Sequence, residues 1–246
     1  MSLELRVRRF GAALAALYDE LDWERLGRTY CEGDGSKFLD ERLRAEVLDV
    51  GLQFADDVAR ALAPGCAQCS LYLGAAVAEL APMLAESIVL EREVRWLNLD
   101  GEESRELARA ADAVSERLGV GLPRPNATAL ASIAPASCGH LWMVSVLTDP
   151  DQFPALHDDL YRRSHGSLAT GRGDLEDDRR RARELGEALL ARAAPPCVLT
   201  TTDEELVVLR PLAPAAGFAL RVPAARRISA IVGDGVRSCR LEALPC

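Results

Sequence analysis

The sequence predicts an α/β protein: a doubly wound, mostly parallel seven-stranded sheet with a C-terminal antiparallel hairpin and an N-terminal helical cap. Three observations predict it. From residue 70 onward short apolar runs alternate with amphipathic helical stretches, the pattern of strand–helix–strand units that build a parallel sheet. One run, HLWMVSVLTD at 140–149, is almost continuously apolar, as in a strand covered on both faces. After about residue 205 the alternation stops, and FALRVP, RISAIVGD and GVRSCRL follow with a Gly-Asp-Gly turn signal at 233–235.

Residues 1–64 read as helices. Leu39, Leu43, Val47, Val50, Phe54, Val58 and Leu62 recur every three or four positions, after a polar turn CEGDGSK at 31–37. This segment is the expected cap, and a second domain is expected over 65–246. That domain opens with the strand SLYLGA and a helix carrying Val77, Leu80 and Leu84 on one face, with Pro82 predicting a kink or a late start. REVRWLNLD (92–100) is the second strand. GEESRELARAADAVSERLGVG is a helix with acids in its first turn and Gly119 near its end. ATALASIA (127–134) reads as a third, weaker strand and 140–149 as a fourth. Helices are expected over about 150–161 and 175–193, and PCVLTTT (196–202) is the next strand. Thr202 and Glu205 have the spacing of a capping box that opens a short helix.

Composition narrows the function. The 246 residues carry 29 basic and 38 acidic side chains, a net charge of −9, and the arginine-rich run at 174–194 alternates with acids. A surface that tracks phosphates needs clustered cations, so nucleic acid is not an expected partner. The one lysine, Lys37, lies in the polar turn, which leaves Schiff-base and P-loop chemistry without their lysine. No stretch reaches the ~18 apolar residues of a membrane span, and the N-terminus lacks a clean signal-peptide core. Seven scattered cysteines fit a reducing compartment, so the expected location is the cytoplasm. Cys66 and Cys69 form a lone CxxC before a strand. Zinc wants a second pair and a redox motif wants a following helix, so incidental thiols are expected. No HxH, HExxH or GxSxG motif occurs, so neither a metal site nor an α/β-hydrolase is expected.

In a doubly wound sheet, ligands bind beyond the carboxyl ends of the strands. The turn after the first strand reads LYLGAAVAE, with Gly74, Ala75 and Ala76 small enough for a ligand to approach the backbone. It is either a cofactor cradle or only a tight bend. A dinucleotide fingerprint would need glycine at 76 and 79, where Ala76 and Glu79 stand. That disfavours nicotinamide and flavin cofactors.

The element order, the C-terminal hairpin and this turn resemble class I S-adenosylmethionine-dependent methyltransferases over about residues 65–246. The resemblance implies S-adenosylmethionine as cofactor. The family's acid-x-Gly-x-Gly-x-Gly pattern falls on Tyr72, Gly74, Ala76 and Ala78, so one glycine matches and the acid is replaced. The ribose-binding acid at the end of the second strand becomes Asp100, with Asn98 beside it. Asp100 also suits a helix N-cap, and Glu91 is the rival should the second strand be the earlier run. No acid follows the third strand, where Asn126 and Ser132 are the only stand-ins. After the fourth strand, Thr148, Asp149 and Pro150 loosely match the Asn/Asp-Pro-Pro-aromatic segment of enzymes that methylate amines, and Asp-Pro is equally an ordinary turn opener. His157 and Tyr161 lie four residues apart, either as a pocket base and its partner or as a partly buried surface pair.

The reading is a methyltransferase-like protein acting on a small molecule, with Asp149, His157 and Tyr161 as catalytic candidates. Its cofactor-binding candidates are Tyr72, Gly74, Ala75, Ala76, Asn98, Asp100 and Thr148. Methyl transfer needs alignment more than acid–base machinery, because the sulfonium is already a good leaving group. The alternative is an inactive module on the same scaffold that binds a partner or serves as a structural subunit.

Overall fold

The computed structural model describes residues 1–31, 35–62, 64–163 and 169–245, the side chain of Ser36 excepted. Part of the 31–37 turn, His165 with the start of the loop after 163, and Cys246 lie outside the described residues. The chain divides into two compact units: Met1–Ala61, Gln68–Thr128 and Ser229–Gly233, then Leu62–Ala67, Ala129–Ile228 and Asp234–Cys246.

In the first unit, α1 (Leu3–Glu20), α2 (Trp23–Tyr30) and α3 (Glu41–Ala61) precede β1 (Cys69–Leu73). Polar caps start these helices. Ser2 accepts from the Leu5 amide, Asp22 from Arg25 and Asp40 from Leu43. The stripe read from the sequence is real, because Leu39, Val47, Phe54 and Val58 are buried. The helix after β1 does start late. A 3-10 turn Val77–Glu79 leads into α4 (Leu80–Leu84), which runs on as a π-helical turn, Ala85–Val89. A β-carbon on Gly51 of α3 would lie 3.2 Å from the Ala81 β-carbon, so α3 and α4 pack closely. Next come β2 (Glu93–Leu97), parallel to β1, and α5 (Glu102–Leu118), which Gly119 ends in the left-handed region at φ 61°.

The third strand expected at 127–134 is not formed. A single bridge, Leu97 to Asn126, stands near its place, and Leu130–Ser132 is a 3-10 turn. The Asn126 side chain accepts from the Thr128 amide at 3.0 Å, an Asx turn that takes the backbone out of the extended path.

The second unit contains β3 (Cys138–Met143), α6 (Pro154–Leu160), α7 (Leu175–Leu190), β4 (Ala193–Thr202) and α8 (Glu205–Ala215). They are followed by β5 (Phe218–Arg221), β6 (Arg227–Ile228) and β7 (Gly235–Ala243). Strand β4 runs parallel to β3, and β7 lies antiparallel between β4 and β5, with β6 also paired to it. The α/β class, the parallel strands and the antiparallel C-terminal strands agree with the expectation. The hairpin is looser than Gly-Asp-Gly suggested, since Ile228 pairs with Gly235 and residues 229–234 link the strands.

Two boundaries differ for a physical reason. Strand β3 stops at Met143, not Asp149. Ser145 has a positive φ of 60°, and the Val146 and Leu147 amides go to the Glu205 carboxylate. The helix expected from about 150 begins at Pro154. Asp149 Oδ1 accepts from the Asp151 and Gln152 amides in the turn before it, and proline suits the first helical position.

Candidate functional site

The turn after β1 is tight, and its polar groups are already engaged. Gly74 takes φ 67°, a conformation that favours glycine, and donates its amide to Leu97 O at 2.9 Å. The Ala75 carbonyl accepts from Trp96 Nε1 at 2.9 Å and from Asn98 Nδ2 at 3.0 Å. The Ala76 amide donates to Glu79 Oε2 at 2.8 Å. Val77 is fully buried and Glu79 is 8% exposed. Tyr72 points into the core, where its hydroxyl donates to Glu86 Oε1 at 2.5 Å. Burial, then the Glu86 charge, pushes its phenol well above the usual range. Small residues thus form the turn, while the chain's own Glu79 carboxylate occupies one of its amides.

Burial pushes the Glu79 carboxyl up from 4.5 to about 7, against the bonds it accepts from the Ala76 and Glu79 amides. The folded state then binds this proton more tightly than the unfolded chain does. Stability falls as pH rises through the interval from 4.5 to about 7, and the loss is complete above it. Glu79→Gln is therefore expected to raise stability at about pH 8 by up to about 3 kcal/mol and to change it little at about pH 5. Denaturant titrations of both proteins at the two pH values check this. An identical difference at both would discard the assignment.

At the carboxyl end of β2 the structure opens. A hollow of about 130 Å³ is lined by Asn98, Asp100, Ser104, Arg105, Pro125 and Asn126, among others. The Asp100 carboxylate is 72% exposed and pairs with Arg105 at 2.9 Å. It does not cap α5, whose N-cap is Gly101. Glu91 precedes β2 rather than ending it, and the run before it is the π-helical turn. Its carboxylate pairs with Arg6.

In the second unit, Asp149 stands at the turn before α6, as a turn opener does. His157 is buried between two partners. Its Nδ1 meets the Thr148 carbonyl at 2.6 Å and its Nε2 meets the Arg163 guanidinium at 2.8 Å. A guanidinium only donates and a carbonyl only accepts, so these partners call for a proton on Nδ1 and an accepting Nε2. Tyr161 packs edge-on against His157 at 4.8 Å and donates to Asp234 Oδ2 at 2.6 Å. Ser145 Oγ donates to the same oxygen at 3.1 Å. Thr148 is 3% exposed, and its hydroxyl has no hydrogen bond of good geometry, although it lies beside the Tyr161 hydroxyl.

The structure therefore gathers Thr148, His157 and Tyr161 and leaves Asp149 holding the turn before α6. Sequence reasoning missed Asp234, because the Gly-Asp-Gly at 233–235 read only as a turn. Among the described residues no group of three or more His, Cys, Asp or Glu side chains is placed to hold a metal ion. No described helix is long and apolar enough to cross a membrane.

No family model and no curated protein matches the sequence. Solved structures do resemble it. The crystal structure of PH0851 aligns at 14% identity with a TM-score of 0.46, over 78% of this chain and 45% of that one, so this chain spans less than half of its length. The O-methyltransferase from Bacillus cereus in complex with SAH aligns at 11% identity and a TM-score of 0.45, over 92% of this chain and 100% of that one. The precorrin-6y C5,15-methyltransferase from Geobacter metallireducens aligns at 12% identity and a TM-score of 0.44, over 80% and 88%. These are likenesses of this chain to those proteins.

Proposed function

We propose that this protein binds S-adenosylmethionine and transfers its methyl group to a small molecule. The observation that carries the reading is the hollow at the carboxyl end of β2, with the exposed Asp100 carboxylate on its wall. A carboxylate there can accept from two vicinal hydroxyls, as a ribose presents them, and strand ends are where α/β sheets bind ligands. Asn98 links that wall to the Ala75 carbonyl of the small-residue turn, so the two features adjoin at the ends of β1 and β2.

The residues fit the cofactor unevenly. Asp100 and Asn126 line open space, whereas the Ala76 amide is held by Glu79. The cofactor would supply an activated methyl group. The chain's part is to hold the ribose through Asp100, to support the turn through Gly74 and Asn98, and to keep water from the acceptor.

Titration of the full chain with S-adenosylhomocysteine tests the proposal. Micromolar binding is expected, and Asp100→Ala should weaken it about 10-fold, the effect of losing one charge-assisted pair of hydrogen bonds. Among the described residues Asp100 is bonded only to Arg105, on an exposed surface, so this variant should fold normally. No binding at millimolar ligand would leave the inactive scaffold as the better reading.

A further inference from the structure

We propose that a hollow between α6, α7 and α8 binds an apolar monocarboxylate, with Arg183 as the group that holds the carboxylate. All of its residues belong to the second unit. The inference goes beyond the methyl-transfer reading and does not depend on it.

Three helices shape the hollow. Gly186 brings α7 and α8 into close contact, because a β-carbon there would lie 2.8 Å from Leu212 Cδ1 and 3.1 Å from Leu209 Cδ2. Asp178 ties α7 to the start of α6, since its Oδ2 accepts from the Ala155 amide at 2.9 Å and from the Leu156 amide at 3.2 Å. A space of about 410 Å³ stays open where residues of the three helices meet, a size that suits a small ligand. Leu156 and Leu160 of α6 and Val207, Val208, Pro211 and Leu212 of α8 give it apolar walls. Leu156 is buried and Val207 is 65% exposed, so this lining runs from the core out to solvent.

The charged groups set the sign of the ligand. Asp159, Arg179 and Arg183 complete the lining. Arg179 is already neutralised, pairing with Asp159 at 3.1 Å and with Glu176 at 3.0 Å. Arg183, one turn further along α7, makes no hydrogen bond or ion pair among the described residues. One guanidinium is thus left over beside an apolar wall, and the lining carboxylate is spent on its neighbour. The planar fork of a guanidinium matches a carboxylate with two parallel hydrogen bonds. An alkyl tail would lie along the leucine and valine side chains and leave water. An ammonium would meet the unpaired Arg183 as a like charge, and the second charge of a dianion would stand unpaired against the apolar wall. A second copy of the chain fits less well. Among the described residues Val207 is the one large apolar side chain of these helices that is exposed, whereas a stable protein interface needs roughly 800 Å² on each partner.

Calorimetric titration of the full chain with octanoate and with 1-octanol, its neutral counterpart, tests the inference. Octanoate should bind at least about 10-fold more tightly, the gain from one charge-assisted pair of hydrogen bonds. Arg183→Gln should bring the two affinities together. Because Arg183 makes no bond in the folded chain among the described residues, this variant should keep the parent melting temperature, which ties the loss to binding. Val207→Asp puts a negative charge on the exposed end of the wall and should weaken octanoate at least about 10-fold. That result would place the ligand in this hollow. Equal affinity for octanoate and octanol, a preference that survives Arg183→Gln, or no octanoate binding at millimolar ligand would overturn the proposal. So would a chain that sediments as a dimer, becomes monomeric in Val207→Asp and ignores octanoate, because a second copy would then cover this face.

Discussion

Arg92→Ala is expected to cost about 4 kcal/mol of folding free energy, because it strands a buried carboxylate. Glu86 is 1% exposed, inside the π-helical turn after α4, and Arg92 is buried just before β2. Arg92 Nε lies 3.0 Å from Glu86 Oε2 and 2.7 Å from Ser70 Oγ, and a second guanidinium nitrogen donates to the Cys69 carbonyl at 3.0 Å. Ser70 and Tyr72 also donate to Glu86. The pair thus ties β1, the π turn and the start of β2 together beneath the candidate turn. Removing the cation leaves the buried Glu86 charge without the guanidinium that balances it or forces it to take up a proton. Either outcome weakens the fold. The double variant Arg92→Met with Glu86→Leu should recover most of the loss, since an apolar pair of similar volume avoids desolvating two charges. Urea midpoints of the two single variants and the double variant form the cycle that measures the coupling. A loss under about 1 kcal/mol in Arg92→Ala would show that this pair behaves like a surface salt bridge.

That pair also marks the limit of what the sequence disclosed. Helices α3 and α5 were legible because their apolar residues repeat at the helical period and, for α5, because acids and Gly119 mark its two ends. Glu86 and Arg92 sit six residues apart across a π turn, a spacing that no regular helix brings together. The end of β3 was misread for a similar reason. VSVLTD is apolar enough for a strand, but a carboxylate 59 residues later takes the Val146 amide. The missing third strand reflects Asn126, whose side chain competes locally with the sheet. The site followed the same rule. Gly74 and Asp100 were found because a strand end and a small-residue turn are local features. Asp234 escaped because only the fold brings it to Ser145 and Tyr161.

Glu205→Ala is expected to cost about 4 kcal/mol and to free the loop that carries Thr148, because one carboxylate satisfies five donors. Glu205 is 0% exposed. Its Oε1 accepts from the Val146 amide at 2.7 Å and the Leu147 amide at 3.0 Å. Its Oε2 accepts from Thr201 Oγ1 at 2.9 Å and from the Thr202 amide and hydroxyl at 3.2 Å each. In return Thr202 Oγ1 accepts from the Glu205 amide at 3.1 Å, so the capping box read from the sequence is present and doubles as a clamp on another loop. Burial raises this carboxyl, and the Leu147, Thr201, Thr202 and Val146 donors oppose the rise. Glu205→Gln is not a silent replacement, because its amide turns two hydrogens toward a site made only of donors at both ends. It should cost about half as much as alanine. The distinguishing measurement is hydrogen exchange. The Val146 and Leu147 amides should lose protection in both variants, while the amides of β7 keep theirs at temperatures where the chain is folded. Unchanged exchange at Val146 and Leu147 would mean that the loop is held by its own packing and that Glu205 serves α8 alone.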